Sequence, residues 1–288
     1  MKPVNNALSA KQSVGHYENF PVASVLCPAR FRPAIKAIYA FARTADDIAD
    51  EGTDSPSQRL QALAAYSAAL EATLHGAPPN HAPWPALANA IAEFNLPIQP
   101  LRDLLSAFTQ DVSTTRYASF EALLDYCRRS ASPVGRLLLH LYGVSDIKSR
   151  EQSDAICTAL QLINFWQDVG VDARKNPPEG RIYLPLDTLA AYEVGEMQVL
   201  RGRFDENFQD AMEFECRRAG ALMRAGAPLV HRVPGRMGWE LRLVVQGGLR
   251  ILEKIQAQQF DTLNARPVLN KFDLVKMTFR AIFMKVKT

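Results

Sequence analysis

LQLINFWQDVGVD, residues 160–172, places Gln161, Asn164, Asp168 and Asp172 at i, i+3, i+7 and i+11 within an otherwise apolar run. At about 100° per residue these four polar groups share one narrow helical stripe. Leu160, Leu162, Ile163, Phe165 and Trp166 cover the remaining faces. A second stretch, IYAFARTADDIADEG at residues 38–52, repeats the pattern. There Tyr39, Arg43, Asp46, Asp47 and Asp50 fall within an arc of roughly 80°.

The three- and four-residue recurrence of apolar positions extends outward from these segments through most of the chain, and no convincing period-2 run has turn signals at both ends. The fold class is therefore all-α. Breakers divide the helices at Pro28 and Pro33, Gly52 to Pro56, Gly76 to Pro85, Pro97 and Pro100, Pro133, Gly143, Pro177 to Gly180, and Pro228 to Gly238. That spacing predicts roughly eight to ten helices. Ser55 with Gln58, and Ser149 with Gln152, have the Ser-x-x-Gln form of an N-terminal cap.

The 288 residues, 48% of them hydrophobic, fit one large domain over 1–288, with residues 1–15 expected as a disordered tail. Lys and Arg exceed Asp and Glu by 33 to 30, too small and dispersed an excess for a nucleic-acid partner. It suits an anionic small substrate or an anionic membrane surface. Cys27, Cys127, Cys157 and Cys216 stand far apart, which predicts reduced core thiols rather than a zinc site or disulfide framework. The opening residues lack a signal-peptide apolar run, and no window holds the roughly 18 uncharged apolar residues of a spanning helix. A cytoplasmic protein is expected, at most peripheral on the inner membrane face.

Solvated helix faces normally alternate Glu and Lys at i, i+4, whereas these stripes set like charges there. Each such pair costs about a few tenths of a kcal/mol without a counter-ion. Carboxylates lining a cavity also resist ionisation unless a cation neutralises them. Carboxylate and amide oxygens, with no His or Cys, form a hard-oxygen set suited to Mg²⁺ bridging to substrate phosphates. Held between two helices, a diphosphate would be stabilised as a leaving group, with Arg43 adding a bidentate contact. An apolar, aromatic cavity would then surround the resulting carbocation.

RTADDIAD (43–50), QLINFWQDVGVD (161–172) and RIYLP (181–185) occur in an order and spacing that resemble the squalene and phytoene synthase family. Asp111, Tyr117 and YCRRSASPVG (126–135) resemble its middle block, and the likeness runs from about His16 to Arg266. The resemblance implies an isoprenoid synthase-type helical bundle around a central cavity with Mg²⁺ at its mouth. It implies Asp46, Asp50, Asp168 and Asp172 as catalytic metal ligands, with Asn164 and Gln161 shaping the second site and Asp47 in support. Arg43, Arg181 and Tyr183 would touch the diphosphate or close over it. Residues 173–180, with Arg174 and Lys175, would form either a basic flap or an ordinary surface loop.

Family members that couple two prenyl diphosphates usually carry Arg and Glu where this chain has Gln167 and Val171. Ser130, Ala131, Ser132 and Pro133, and the opening HYENFPVAS (16–24), also depart from their pattern. These variants resemble the hydroxysqualene-forming branch of the family, found in bacterial hopanoid pathways. That branch ionises presqualene diphosphate, rearranges the cation and captures it with water, without NADPH. Glu18, Asn19, Ser130 and Ser132 are candidates to hold the water, and functional association with other squalene-pathway enzymes is implied. One alternative is a condensing enzyme that joins two prenyl diphosphates; another is a non-catalytic scaffold, against which both acidic motifs stand intact.

Phe20, Phe41, Phe108, Phe165 and Trp166 are candidates for the cavity wall, with Tyr39 and Phe20 beside the substrate. The tail KFDLVKMTFRAIFMKVKT (271–288) sets Phe272, Val275, Phe279 and Phe283 on one face, with Lys271, Lys276, Arg280, Lys285 and Lys287 largely elsewhere. Packing of that face on the bundle is the expected arrangement, and docking on a membrane surface is the other.

Overall fold

Proline and glycine end the helices largely where the sequence places them. The computed structural model describes residues 27–175 and 178–284. A 3₁₀ turn, Ala29–Phe31, leads into α1, Arg32–Asp50, which has Pro33 in its first turn. Next comes α2, Pro56–Leu74, opened by a complete capping box: the Ser55 side chain accepts from the Gln58 amide, and the Gln58 side chain accepts from the Ser55 amide at 2.9 Å. α3 (Trp84–Phe94), α4 (Gln99–Asp111), α5 (Phe120–Ser130) and α6 (Ser132–Leu141) follow. Proline occupies the opening turn of α3, α4 and α6, where its missing N–H leaves no bond unmade.

The long α7, Ile147–Asp172, begins earlier than the Ser149–Gln152 signature suggests. Asp146 is its cap and accepts the Ser149 amide at 3.0 Å, while the Ser149 hydroxyl is buried and accepts from Arg232 at 2.9 Å. α8 (Leu186–Ala191), α9 (Glu196–Leu200), α10 (Glu206–Gly226), α11 (Arg236–Ala257) and α12 (Lys271–Ile282) complete the order, with a second 3₁₀ turn at Ala227–His231. The described residues thus hold twelve α-helices rather than eight to ten. The excess lies in α8 and α9, too short for any helical period to reveal. Among the described residues the only bridge of β type pairs Arg116 with Ile182.

Two apolar clusters fill the bundle. One gathers α1 to α4 around Phe41, Tyr66 and Trp84, whose rings meet at centroid distances of 4.5 to 6.0 Å. Burying each such ring contributes roughly 2–3 kcal/mol. The other centres on α7, with α10 along its length and α5, α6 and α11 flanking it. Tyr142 and Met237 pack against both clusters and join them.

α12 departs from expectation. Asp273, Met277 and Ala281 face the bundle, whereas Phe272, Val275, Phe279 and Phe283 are exposed. Charge fixes this rotation: Asp273 pairs with Arg250 at 2.6 Å and with Lys254 at 2.8 Å, both on α11. Burial would raise the Asp273 carboxyl, but hydrogen bonds from Lys254, the Asn270 backbone and Arg250 hold it well below the usual carboxylate range. No helix of the described residues is long and apolar enough to cross a membrane.

Candidate active site

The carboxylates gather at helix C-termini. Asp46, Asp47 and Asp50 lie in the last turns of α1, Asp168 and Asp172 in those of α7, and Asp111 closes α4. A helix C-terminus already presents about half a negative charge, so a carboxylate there costs up to roughly 1 kcal/mol unless a cation stands by. The chain brings cations to these positions.

Lys175, just past α7, turns inward between the stripes. Its Nζ lies 3.1 Å from Asp50 Oδ2 and 3.5 Å from Asp172 Oδ1. Arg181 donates to the Tyr183 hydroxyl at 3.1 Å and to the Asp111 carbonyl at 2.7 Å, and its Nη1 stands 3.5 Å from Asp50 Oδ1. Arg266 pairs with both Asp168 oxygens through the Nε and Nη2 edge of its guanidinium, Nη2 at 3.2 Å. Arg43 reaches along its own helix to Asp46 at 3.2 Å and Asp47 at 2.7 Å. Arg43, the expected diphosphate contact, is engaged in this structure by ion pairs within α1.

The segment after α7 is positioned by its backbone. The Arg181 amide donates to Asp172 O at 2.9 Å, the Ile182 amide to Thr115 O at 3.0 Å, and the Leu186 amide to Tyr117 O at 2.9 Å. Arg116 fastens it further, donating to Gly180 O at 2.9 Å, Glu179 O at 2.8 Å and Glu196 Oε2 at 2.7 Å. These bonds hold Arg181 and Tyr183 against the end of α7.

Crowding shapes the acids. Asp46 keeps 43% of its side chain exposed, yet the protein mass around it, with Asp50 and Asp47 alongside, pushes its carboxyl up to about 6 against Arg43 and Lys175. Asp172 is buried and is likewise pushed up to about 6, with Asp168 adding to burial and Lys175 and Arg181 opposing. Burial alone would raise Asp50, but Lys175 and Arg181 hold it low. Asp111 accepts from the Tyr126 hydroxyl at 2.7 Å and is pushed up to about 7 by burial. Its Oδ1 is buried without a partner among the described residues.

This set fits a hard divalent cation: oxygen donors from two facing helices, with Asp46 and Asp172 keeping their protons to higher pH than an ordinary carboxylate unless positive charge is added. Among the described residues no three acidic, His or Cys side chains cluster tightly enough to hold an ion by themselves. The Lys175 ammonium stands between Asp50 and Asp172 instead.

The remaining predicted residues are distributed unevenly. Gln161 is half-buried and Asn164 exposed on the stripe of Asp168 and Asp172, and Tyr39 is half-buried one turn before Arg43. Phe165 stacks on Tyr183 with centroids 3.6 Å apart and planes 9° from parallel, and Tyr117 and Tyr126 complete an aromatic cluster. Phe41 belongs to the α1–α4 core rather than to a cavity wall. The Ser130 and Ser132 hydroxyls are buried without partners among the described residues. Phe20, Glu18 and Asn19, like the 1–15 tail, lie outside the described residues.

Sequence reasoning missed Arg266 and Arg116, and it left Asp111 and Lys175 without specific partners. Gln167, one of the departures from the pattern of the coupling enzymes, lies off the acid stripe. That side chain is fully buried and faces away from the stripe, donating to Pro267 O at 2.6 Å. Residues 260–267 lie so close to α7 that a Cβ on Gly170 would stand 2.0 Å from Leu263 O, and the Gly170 amide reaches Thr262 O at 3.2 Å. This contact delivers Arg266 to Asp168, and Gly170 itself, inside the QDVGVD motif, was the available signal.

Helical bundle, facing acid stripes and the RIYLP segment together define an isoprenoid diphosphate-processing synthase. The chain belongs to the squalene/phytoene synthase family, matching it over residues 14–273. It is 34% identical to a hydroxysqualene synthase from Rhodopseudomonas palustris over 270 residues, 93% of this chain and 89% of that one. A phytoene synthase from Arthrospira platensis is 31% identical over 262 residues, covering 86% of this chain and 83% of the relative. The crystal structure of squalene synthase HpnC from Alicyclobacillus acidocaldarius superposes with a TM-score of 0.78 at 37% identity, covering 85% of this chain and 90% of that one. Members of the family act on prenyl diphosphates and use divalent metal.

Proposed function

We propose that this chain is a hydroxysqualene synthase, one catalytic domain that converts presqualene diphosphate and water into hydroxysqualene and diphosphate without NADPH. The observation that carries the reading is the meeting of Asp50 and Asp172 across the Lys175 ammonium, with Arg181 and Tyr183 braced beside them. Similarity to a hydroxysqualene synthase over nearly the whole chain supports the choice of branch.

In this reading the carbon–oxygen bond to diphosphate breaks heterolytically, leaving the electron pair on the departing oxygen. Asp46, Asp50, Asp168 and Asp172, with Asn164 on the same helical stripe as Asp168 and Asp172, would hold Mg²⁺, which when bound would neutralise charge on the leaving group. Lys175 and Arg181 stand ready to pair with diphosphate oxygens, and Tyr183 orients the Arg181 guanidinium. Phe165, Tyr117 and Tyr126 offer ring faces to the cation and limit the approach of water. After the cyclopropylcarbinyl cation rearranges, a water oxygen adds to it and releases a proton.

The test is to supply the purified chain with Mg²⁺ and either presqualene diphosphate or farnesyl diphosphate, without NADPH, and to identify lipid products by mass spectrometry. Hydroxysqualene from presqualene diphosphate alone is the expected result. Consumption of farnesyl diphosphate would move the chain to the condensing branch, the reading its similarity to phytoene synthase favours.

A further inference from the structure

Away from the acid stripes, the outer face of α12 is strongly apolar and exposed. Phe272 is 84% exposed, Val275 70%, Phe279 64%, Phe283 61% and Ile282 53%. At about 100° per residue these five fall within an arc of roughly 100°, opposite buried Met277 and Ala281. The rings of Phe279 and Phe283 lie 4.8 Å apart, covering each other rather than the bundle. The apolar band continues onto α11: Trp239 is 46% exposed and shares a groove of about 210 Å³ with Leu243 and Ile282.

The rim of this band is basic. α12 carries Lys271, Lys276 and Arg280 against a single acid, Asp273. That acid is already paired with Arg250 and Lys254 from α11. Lys276 and Arg280 share one partner, Glu253, so positive charge remains in excess along the edge.

We propose that α12 is a membrane-surface helix, bedding its Phe272–Val275–Phe279–Phe283 face into an anionic lipid bilayer while the bundle stays in water. An outward apolar stripe, a cationic rim and an exposed Trp are the components of an interfacial amphipathic helix. Charge favours lipid over a second copy of the chain, since a self-complementary contact would bring this basic rim against itself. Anionic headgroups complement it. The chemistry fits as well: prenyl diphosphates and their hydrocarbon products have long apolar tails that reside in lipid. The inference rests on the surface of α11 and α12 and holds for either branch of the family, so it stands or falls separately from the reaction.

The experiment is flotation of the full chain with vesicles of phosphatidylethanolamine and phosphatidylglycerol, alongside vesicles of phosphatidylcholine. The chain is expected to float with the anionic vesicles, less with phosphatidylcholine, and less again as salt is raised. Phe279→Ser with Phe283→Ser, both exposed and so harmless to the fold, should lower the bound fraction about ten-fold or more. A second measurement needs no variant. Trp84 and Trp166 are buried, so emission changes on adding vesicles report Trp239, which should shift to the blue. The proposal is overturned if the native chain stays with the soluble fraction, if the double variant floats equally well, or if Trp239 emission does not move. Sedimentation showing a dimer that the double variant dissolves would assign the face to a second copy and also overturn it.

Discussion

Gly170→Ala should destabilise this protein although alanine is the better helix former. In an exposed helix the change would gain about 1 kcal/mol from propensity. Here the new methyl would stand 2.0 Å from Leu263 O and 2.7 Å from Leu263 C, both backbone atoms that no side-chain rotation can move aside. Reaching ordinary van der Waals contact needs about 1.4 Å of separation between α7 and residues 260–267. Overpacking of this kind costs about 1–3 kcal/mol. The same movement pulls apart the Gly170 amide to Thr262 bond at 3.2 Å and the Gln167 to Pro267 bond at 2.6 Å, together about 2 kcal/mol. Subtracting the propensity gain leaves a net loss of about 2–4 kcal/mol, and Tm should fall by roughly 3–7 °C. Differential scanning calorimetry reads the shift. Because Arg266 rides on the same segment, titration calorimetry with Mg²⁺ should also find the site altered. A variant that melts at or above the native temperature would refute the close approach and, with it, the account of how Arg266 reaches Asp168.

Other expectations concern the acids directly. Asp46→Ala and Asp168→Ala should each abolish turnover while circular dichroism stays helical, and full activity in either would remove the metal assignment. Asp46 and Asp172 are raised to about 6 in the folded chain, so the folded state binds more protons than the unfolded one between about pH 4 and 6. Their contribution to stability is therefore present below the ordinary aspartate value and is lost as pH rises through about 6. Mg²⁺ offsets that loss, so it should raise Tm at about pH 8 and do so far less at about pH 5; an equal shift at both would contradict the sign. Lys175→Met removes the ammonium that competes for Asp50 and Asp172, which should tighten Mg²⁺ binding in calorimetry and lower turnover; weaker Mg²⁺ binding would count against the competition.

Periodicity made the helices and both acid stripes readable, because seven or more residues repeat the same angular step in each. Ser55 and Gln58 were readable as a cap for a similar reason, being local and reciprocal. Ser149 and Gln152 show the weakness of that signal: the same letters occur one turn inside α7, and Asp146 three residues upstream takes the role. The orientation of α12 was not readable, since its apolar stripe is the stronger pattern while two ion pairs to Asp273 decide which side meets α11. Arg266, Arg116 and Asp111 reach the site from segments tens of residues away, and a one-dimensional period has no term for such pairings. Gln167 differs from the coupling enzymes in sequence, but it sits on the wrong side of α7 to touch a substrate on the acid stripe.

Lys175 means that the chain carries its own replacement ion. A pocket of facing carboxylates left bare would push its walls apart each time product and metal departed, and each round would begin by rebuilding the shape. With the Lys175 ammonium already lying between Asp50 and Asp172, loading and unloading of a cation in the proposed reaction would exchange positive charge at the same two carboxylates. In the proposed reaction, emptying the site would then call for movement of that one side chain rather than of the two helices.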